Sequence, residues 1–118
     1  MRVLLIEDDP DLAEATAAFL EGEGLDVRTA LSGREALETA SAFQPELVLC
    51  DLSLPDMHGM EVVRELRSNH LPPRTYVVIL TARRMTEPKP PDVDAFIMKP
   101  LTTESVQTLV KAAASARS

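Results

Sequence analysis

Pro45-Glu46-Leu47-Val48-Leu49-Cys50-Asp51-Leu52-Ser53-Leu54-Pro55-Asp56 is the stretch on which the fold turns. Leu47, Val48, Leu49 and Cys50 form an unbroken apolar run, long enough for a buried strand and too short for a helix with its own face. A strand buried on both sides belongs to a parallel sheet covered by helices. The run stops at Asp51, and Pro55 soon forces a turn. Open parallel sheets bind ligands beyond the carboxyl ends of their strands, so Asp51 stands where chemistry is placed. A strand-end Asp can equally be satisfied by a local turn, and other strand ends must decide between the two.

Outward from this stretch, strands and helices alternate. Val3–Ile6 reads as a first strand, followed by Glu7-Asp8-Asp9 and a helix with Asp9 as cap and Pro10 in its first turn. Leu12, Ala15, Phe19 and Leu20 keep helical spacing, and Gly22 with Gly24 ends the element. Leu25–Ala30 is a second strand. Ser32-Gly33-Arg34-Glu35 fits a capping box, opening a helix that buries Ala36, Leu37, Ala40 and Phe43. After Gly59 a helix turns Met60, Val63 and Leu66 inward. Tyr76–Leu80 is a fourth strand ending at Thr81, and Ala95–Met98 a fifth ending at Lys99-Pro100. In the last helix Thr102 caps, Leu101 and Val106 staple, and Leu109, Val110 and Ala113 continue the apolar face. The pattern predicts one α/β domain over 1–118 with a doubly wound parallel sheet.

One crossover breaks the pattern. Pro88, Pro90 and Pro91 fall within Arg83–Asp92, and each costs about 3 kcal/mol inside a helix. The expectation is a fourth helix of one turn or none, an extended connection, and strands four and five partly uncovered.

Composition narrows the function. The 118 residues carry a net charge of −7, unevenly spread: through Glu65 there are 15 acidic and 4 basic residues, and beyond it 4 and 8. Such a chain suits a divalent cation or a basic partner and argues against binding nucleic acid through its general field. The lone Cys50 sits in the apolar run and reads as a core thiol. No apolar stretch reaches the roughly 18 residues of a membrane span, and acids follow the first strand at once, so no signal peptide is read and a cytoplasmic location is expected. His58 has no companion at metal-ligand spacing and reads as a loop residue.

Four strand ends carry complementary polar groups: Glu7 and Asp8, Asp51, Thr81, and Lys99. Three carboxylates on one rim repel one another unless a hard cation such as Mg²⁺ joins them. Lys99 and Thr81 add a mobile positive charge and a hydroxyl for an anion beside the metal. The set describes a phosphoryl group held on or beside Asp51. Singly, each residue also has an ordinary structural reading as cap, turn or solvated loop.

With these residues assembled, the chain resembles the receiver domain of two-component response regulators over essentially its whole length. The resemblance rests on Val3–Asp9, Leu49–Gly59, Ile79–Ala82 and Phe96–Pro100. It implies a five-stranded, flavodoxin-like sheet of order 2-1-3-4-5. It further implies Asp51 as phosphoacceptor and Asp8 as direct Mg²⁺ ligand, with Glu7 holding the metal through water and the carbonyl of Ser53 as another ligand. Thr81 and Lys99 would contact the phosphoryl oxygens, and Phe96 matches the aromatic switch position. The implied partners are a sensor histidine kinase or phosphotransfer protein and a downstream protein. Thr81 and Lys99 lie only 18 residues apart, shorter than usual in the family, and the missing length falls among the prolines. Two alternatives stay open. A receiver-like binding module could signal without phosphorylation, though acceptor and lysine are both present. An aspartyl-nucleophile phosphatase wants a second acid two residues after the nucleophile, where this chain has Ser53.

Overall fold

The computed structural model describes every residue except Ser53, Glu87 and Ser118, and every side chain but those of Asn69 and Arg117 as well. Its elements are β1 (Arg2–Ile6), α1 (Pro10–Gly22), β2 (Asp26–Ala30), α2 (Gly33–Phe43), β3 (Leu47–Asp51), α3 (Gly59–Asn69), β4 (Tyr76–Thr81), β5 (Ala95–Met98) and α4 (Thr103–Arg117). The five strands pair in parallel in the order β2-β1-β3-β4-β5, as expected.

Alternation along each central strand divides the core between two faces. Leu4, Ile6, Val48, Cys50, Val77 and Ile79 face α2 and α3, where Ala36, Ala40, Val62, Val63 and Leu66 are fully buried. Val3, Leu5, Leu47, Leu49, Val78 and Leu80 face α1 and α4, meeting Leu20, Val106, Leu109 and Ala113. This two-sided burial is why the central strands read as continuous apolar runs.

The helix ends follow local chemistry. Asp9 Oδ1 accepts the Asp11 and Leu12 amides at 3.0 and 3.3 Å. Thr102 and Ser105 cap reciprocally: Thr102 Oγ1 accepts the Ser105 amide at 3.1 Å and Ser105 Oγ the Thr102 amide at 2.8 Å. Leu101 and Val106 share a core cluster, as a staple requires. At α2 only the forward half of the capping box forms among the described bonds, with Ser32 Oγ accepting the Glu35 amide at 3.2 Å. His58, read as a loop residue, caps α3 by accepting the Met60 amide on Nδ1 at 3.2 Å. In α1 the inward face is set by Ala13 and Leu20, while Leu12 is 42% exposed, against the expectation for that helix. Its position just after the cap turns it over the strand ends rather than into the sheet.

Between β4 and β5 the described residues contain no helix. Among the described residues of this connection only Val93 is buried, and it joins the α2–α3 face. Arg67 of α3 holds the connection in place. Its Nε donates to the Asp92 carbonyl at 3.1 Å, one terminal nitrogen to the Thr75 carbonyl at 2.8 Å, and the other to Asp94 Oδ2 at 2.9 Å. Asp94 Oδ2 also accepts the Val77 amide at 2.8 Å, tying the clamp to the start of β4. The expected exposure is confined to β5, where Ala95–Ile97 are half-buried and Met98 is 51% exposed. β4 stays buried from Val77 to Thr81, because Val77 and Ile79 pack with Val62, Val63, Leu66 and Val93 on one face, and Val78 and Leu80 with Val106, Leu109 and Ala113 on the other.

A candidate phosphoryl and metal site

The site grows from the carboxyl ends of β1, β3 and β5. Register places Ile6 beside Cys50, and Asp51 beside Leu80, so the residues that end β1 and β3 emerge on the same rim. Oxygen atoms of Glu7, Asp8 and Asp51 lie within 4.8 Å of one another. Glu7 is buried, Asp51 half-buried and Asp8 exposed. Lys99 reaches in from the end of β5, its Nζ 3.1 Å from Glu7 Oε1 and 3.2 Å from Asp51 Oδ1. Its backbone is fixed by the amide bond to the Thr81 carbonyl at 2.8 Å, and the Lys99–Pro100 peptide is cis.

The electrostatics reflect crowding. Burial pushes the Glu7 carboxyl above its usual range, aided by the neighbouring Asp8 and Asp51, while Lys99 and the Asp9 amide pull the other way. Burial pulls the Lys99 ammonium down, but the Glu7 and Asp51 carboxylates outweigh it, so its pKa is raised and it stays charged. Cys50, one residue before the rim, is pushed up to about 12 by burial and by the Asp51 charge, so its thiol is inert at neutral pH. The oxygen-only donor set, carrying more negative than positive charge, fits a hard divalent cation.

Not every expected residue joins the cluster. Thr81 is buried at the end of β4, but its hydroxyl donates to the Arg83 carbonyl at 2.8 Å and accepts the Arg83 amide at 3.1 Å. It therefore serves its own turn instead of pointing at the acids. Phe96 is half-buried, and with Thr81, Arg84, Met85 and Met98 it lines a cavity of about 380 Å³. The expected Ser53 carbonyl lies outside the described residues. A second cavity, of about 490 Å³, touches Glu7 and Lys99 and continues over Leu12, Phe19 and Leu101.

Two residues with tertiary roles escaped the sequence reading, one at the end of the sheet opposite the rim and one beside the site. Arg67 reaches the starts of β4 and β5, with partners 8, 25 and 27 residues away. Asp56 drew no reading of its own, and its carboxylate accepts the Gly33 and Arg34 amides at 2.8 and 3.0 Å. Those two bonds hold its pKa below the usual aspartate value. Neither role has a local signal, because each depends on a partner brought near by folding.

Comparison with known proteins places the fold and the family. Residues 3–111 match the family described as the response regulator receiver domain. The DNA-binding response regulator MtrA of Mycolicibacterium smegmatis is 37% identical over 119 residues, a match covering 94% of this chain and 49% of MtrA. The chain thus spans about half the length of the curated relatives it matches. The structure of response regulator TrrA from Thermotoga maritima in complex with Mg²⁺ and BeF superposes with a TM-score of 0.83 at 26% identity, covering 95% of this chain and 97% of TrrA. TrrA in complex with the histidine kinase ThkA gives 0.81 at 26% identity, again covering 95% and 97%.

Proposed function

The chain belongs to the response regulator receiver family, and on that premise we propose that it accepts a phosphoryl group on Asp51 and relays the change to a protein-binding surface. The observation that carries this reading is the convergence of Glu7, Asp8 and Asp51 on one rim with the Lys99 ammonium 3.2 Å from the acceptor carboxylate.

Asp8 and Asp51 would hold Mg²⁺ directly and Glu7 through water, with the Ser53 carbonyl added on the family resemblance alone. When bound, the ion neutralises charge on the rim and on the incoming phosphoryl oxygens. Asp51 supplies the nucleophile: one carboxylate oxygen attacks the phosphorus of a phosphohistidine as the P–N bond breaks, and the leaving imidazole is protonated from solvent. Such a transfer needs orientation and charge stabilisation more than covalent help from the protein. Lys99 gives both, because its ammonium already bridges two carboxylates and can shift to a phosphoryl oxygen without leaving the rim.

Thr81 and Phe96 form the switch in this reading. The Thr81 hydroxyl must leave the Arg83 backbone to reach the phosphoryl group. The cavity that both residues line offers room for Phe96 to turn inward as this happens. The output is then a change at Phe96, Met98 and the β4–β5 connection. A histidine kinase or phosphotransfer protein is the proposed donor, in keeping with the TrrA–ThkA complex. A downstream protein or DNA-binding region is the proposed receiver of the signal; the net charge of −7 argues against DNA binding by this domain itself.

The test is incubation with Mg²⁺ and acetyl phosphate, read by intact mass. The parent gains one phosphoryl group, and omission of Mg²⁺ prevents it. A binding module that works without phosphorylation gains nothing under either condition.

A further inference from the structure

Asp56 lies five residues beyond Asp51 in the connection from β3 to α3, and its carboxylate reaches a different layer of the molecule. Its Oδ1 accepts the Gly33 amide and its Oδ2 the Arg34 amide, the first two residues of α2. Amides at a helix start have no partner within the helix, so these two bonds are charge-assisted and strong. Packing closes the same contact. A Cβ at Gly33 would stand 2.8 Å from Met57 Sδ and 2.9 Å from Val62 Cγ2, so the chains approach this closely only because Gly33 has no side chain.

The connection is also drawn back onto its origin. The Gly59 amide donates to the Leu52 carbonyl at 2.8 Å, and a Cβ at Gly59 would lie 2.6 Å from the Asp51 carbonyl oxygen. At the other side, the Glu7 amide donates at 3.0 Å to the carbonyl of Ala30, three residues before α2 begins. A continuous path therefore joins the two carboxylate-bearing strand ends, from Glu7 through Ala30, the start of α2 and Asp56 to Asp51.

We propose that Asp56 is a positioning residue for the acidic site: by fastening the β3–α3 connection to the N-terminus of α2, it sets the place of Asp51 relative to Glu7 and Asp8 and thereby the affinity for Mg²⁺. The metal half of this statement rests on the proposed function above. The ordinary alternative is that Asp56 merely caps α2, and Ser32 offers the control, since its hydroxyl caps the same helix by accepting the Glu35 amide.

The experiment compares the parent chain with Asp56→Ala, Asp56→Asn and Ser32→Ala. Removing a cap lowers Tm by about 4 °C in either alanine variant. The two part in the other readouts. In Asp56→Ala, calorimetric titration with Mg²⁺ alone gives a Kd weakened about tenfold, as for other groups that orient metal ligands. Asp56→Asn retains one acceptor and recovers part of that loss, and Ser32→Ala leaves the Kd at the parent value. Without metal, hydrogen exchange of the Leu52 and Gly59 amides accelerates in Asp56→Ala and not in Ser32→Ala. Equal Mg²⁺ affinity in the two alanine variants, or unchanged exchange at Leu52 and Gly59, overturns the positioning role. A parent that binds no Mg²⁺ and takes no phosphate sinks the proposed function instead, and the exchange comparison then decides the role of Asp56 alone.

Discussion

The acidic rim and the β4–β5 connection begin within a few residues of each other, yet they are held by opposite means. On the rim every polar group sits at the end of a hydrogen-bonded strand, so register delivers Asp51, Glu7 and Lys99 to within 3.2 Å contacts. Among its described residues the connection has no helix and buries a single side chain, Val93. Arg67 clamps it from α3 through three bonds. The difference teaches where this fold tolerates change. Chemistry needs a few groups at fixed strand ends, and the backbone ladder supplies that precision. A crossover needs only to return the chain to the sheet, so a proline-rich segment with one polar clamp can replace a helix.

The largest effect separates the two regions outright. Asp51→Asn abolishes the Mg²⁺-dependent mass gain from acetyl phosphate, whereas joint replacement of Pro88, Pro90 and Pro91 by alanine leaves it intact. Loss of phosphorylation in the proline variant would show that the connection takes part in the chemistry.

Next in size is the clamp. Arg67→Ala strips partners from two backbone carbonyls and from the half-exposed Asp94 carboxylate. The expected destabilisation is about 2–3 kcal/mol after allowance for solvent screening, or a fall of roughly 8–12 °C in Tm. Thermal unfolding measures it, and hydrogen exchange locates it. The amides of Ala95–Met98 should lose protection while those of α1 keep theirs. Uniform loss across the chain breaks the idea that the clamp serves the connection.

A smaller effect reports crowding on the rim. Lys99 bridges Glu7 and Asp51 and offsets one of their two charges, and Asp8 adds an exposed one. Without metal, Asp8→Asn should therefore stabilise the chain by only about 0.5 kcal/mol, while weakening Mg²⁺ more than Glu7→Gln does. Unfolding in chelator and calorimetry with Mg²⁺ check the two halves. An apo variant that melts no higher than the parent counts against mutual repulsion.

The smallest effect is the acid sensitivity of the Asp56 tether. Folding lowers this carboxyl's pKa, so its contribution is fully present above the unfolded value of about 3.9 and is lost as pH falls through the lower folded value. Below pH 4 the Tm of the parent should fall more steeply than that of Asp56→Asn. Parallel curves would remove the ionic character of the tether.

Much of this was readable from the chain. The five strands were visible because burial on both faces leaves apolar runs that end abruptly, and the polar residue at each end names itself. The missing helix was visible because three prolines within four residues could not all escape the interior of a helix spanning them. Leu12 departs from its expected inward place and the present partner of the Thr81 hydroxyl was not foreseen, for a shared reason: helical spacing and strand-end position say where a side chain starts, not which neighbour claims it. Leu12 lies over the strand ends, and the Thr81 hydroxyl is taken by the Arg83 backbone.

The sequence by itself determined the order of elements, the buried strands, the acids and lysine at their ends, and the absence of a helix among the prolines. Each of these follows from local sterics and hydrophobic pattern, which act over a few residues. Only the tertiary structure decided that Lys99 bridges Glu7 and Asp51, that Arg67 stands in for a helix, and that Asp56 ties the connection after Asp51 to α2. Those contacts join residues 8 to 92 positions apart. A hydrogen bond of 3 Å is specified by where the whole sheet and its helices place both partners, and no short window of sequence contains that information.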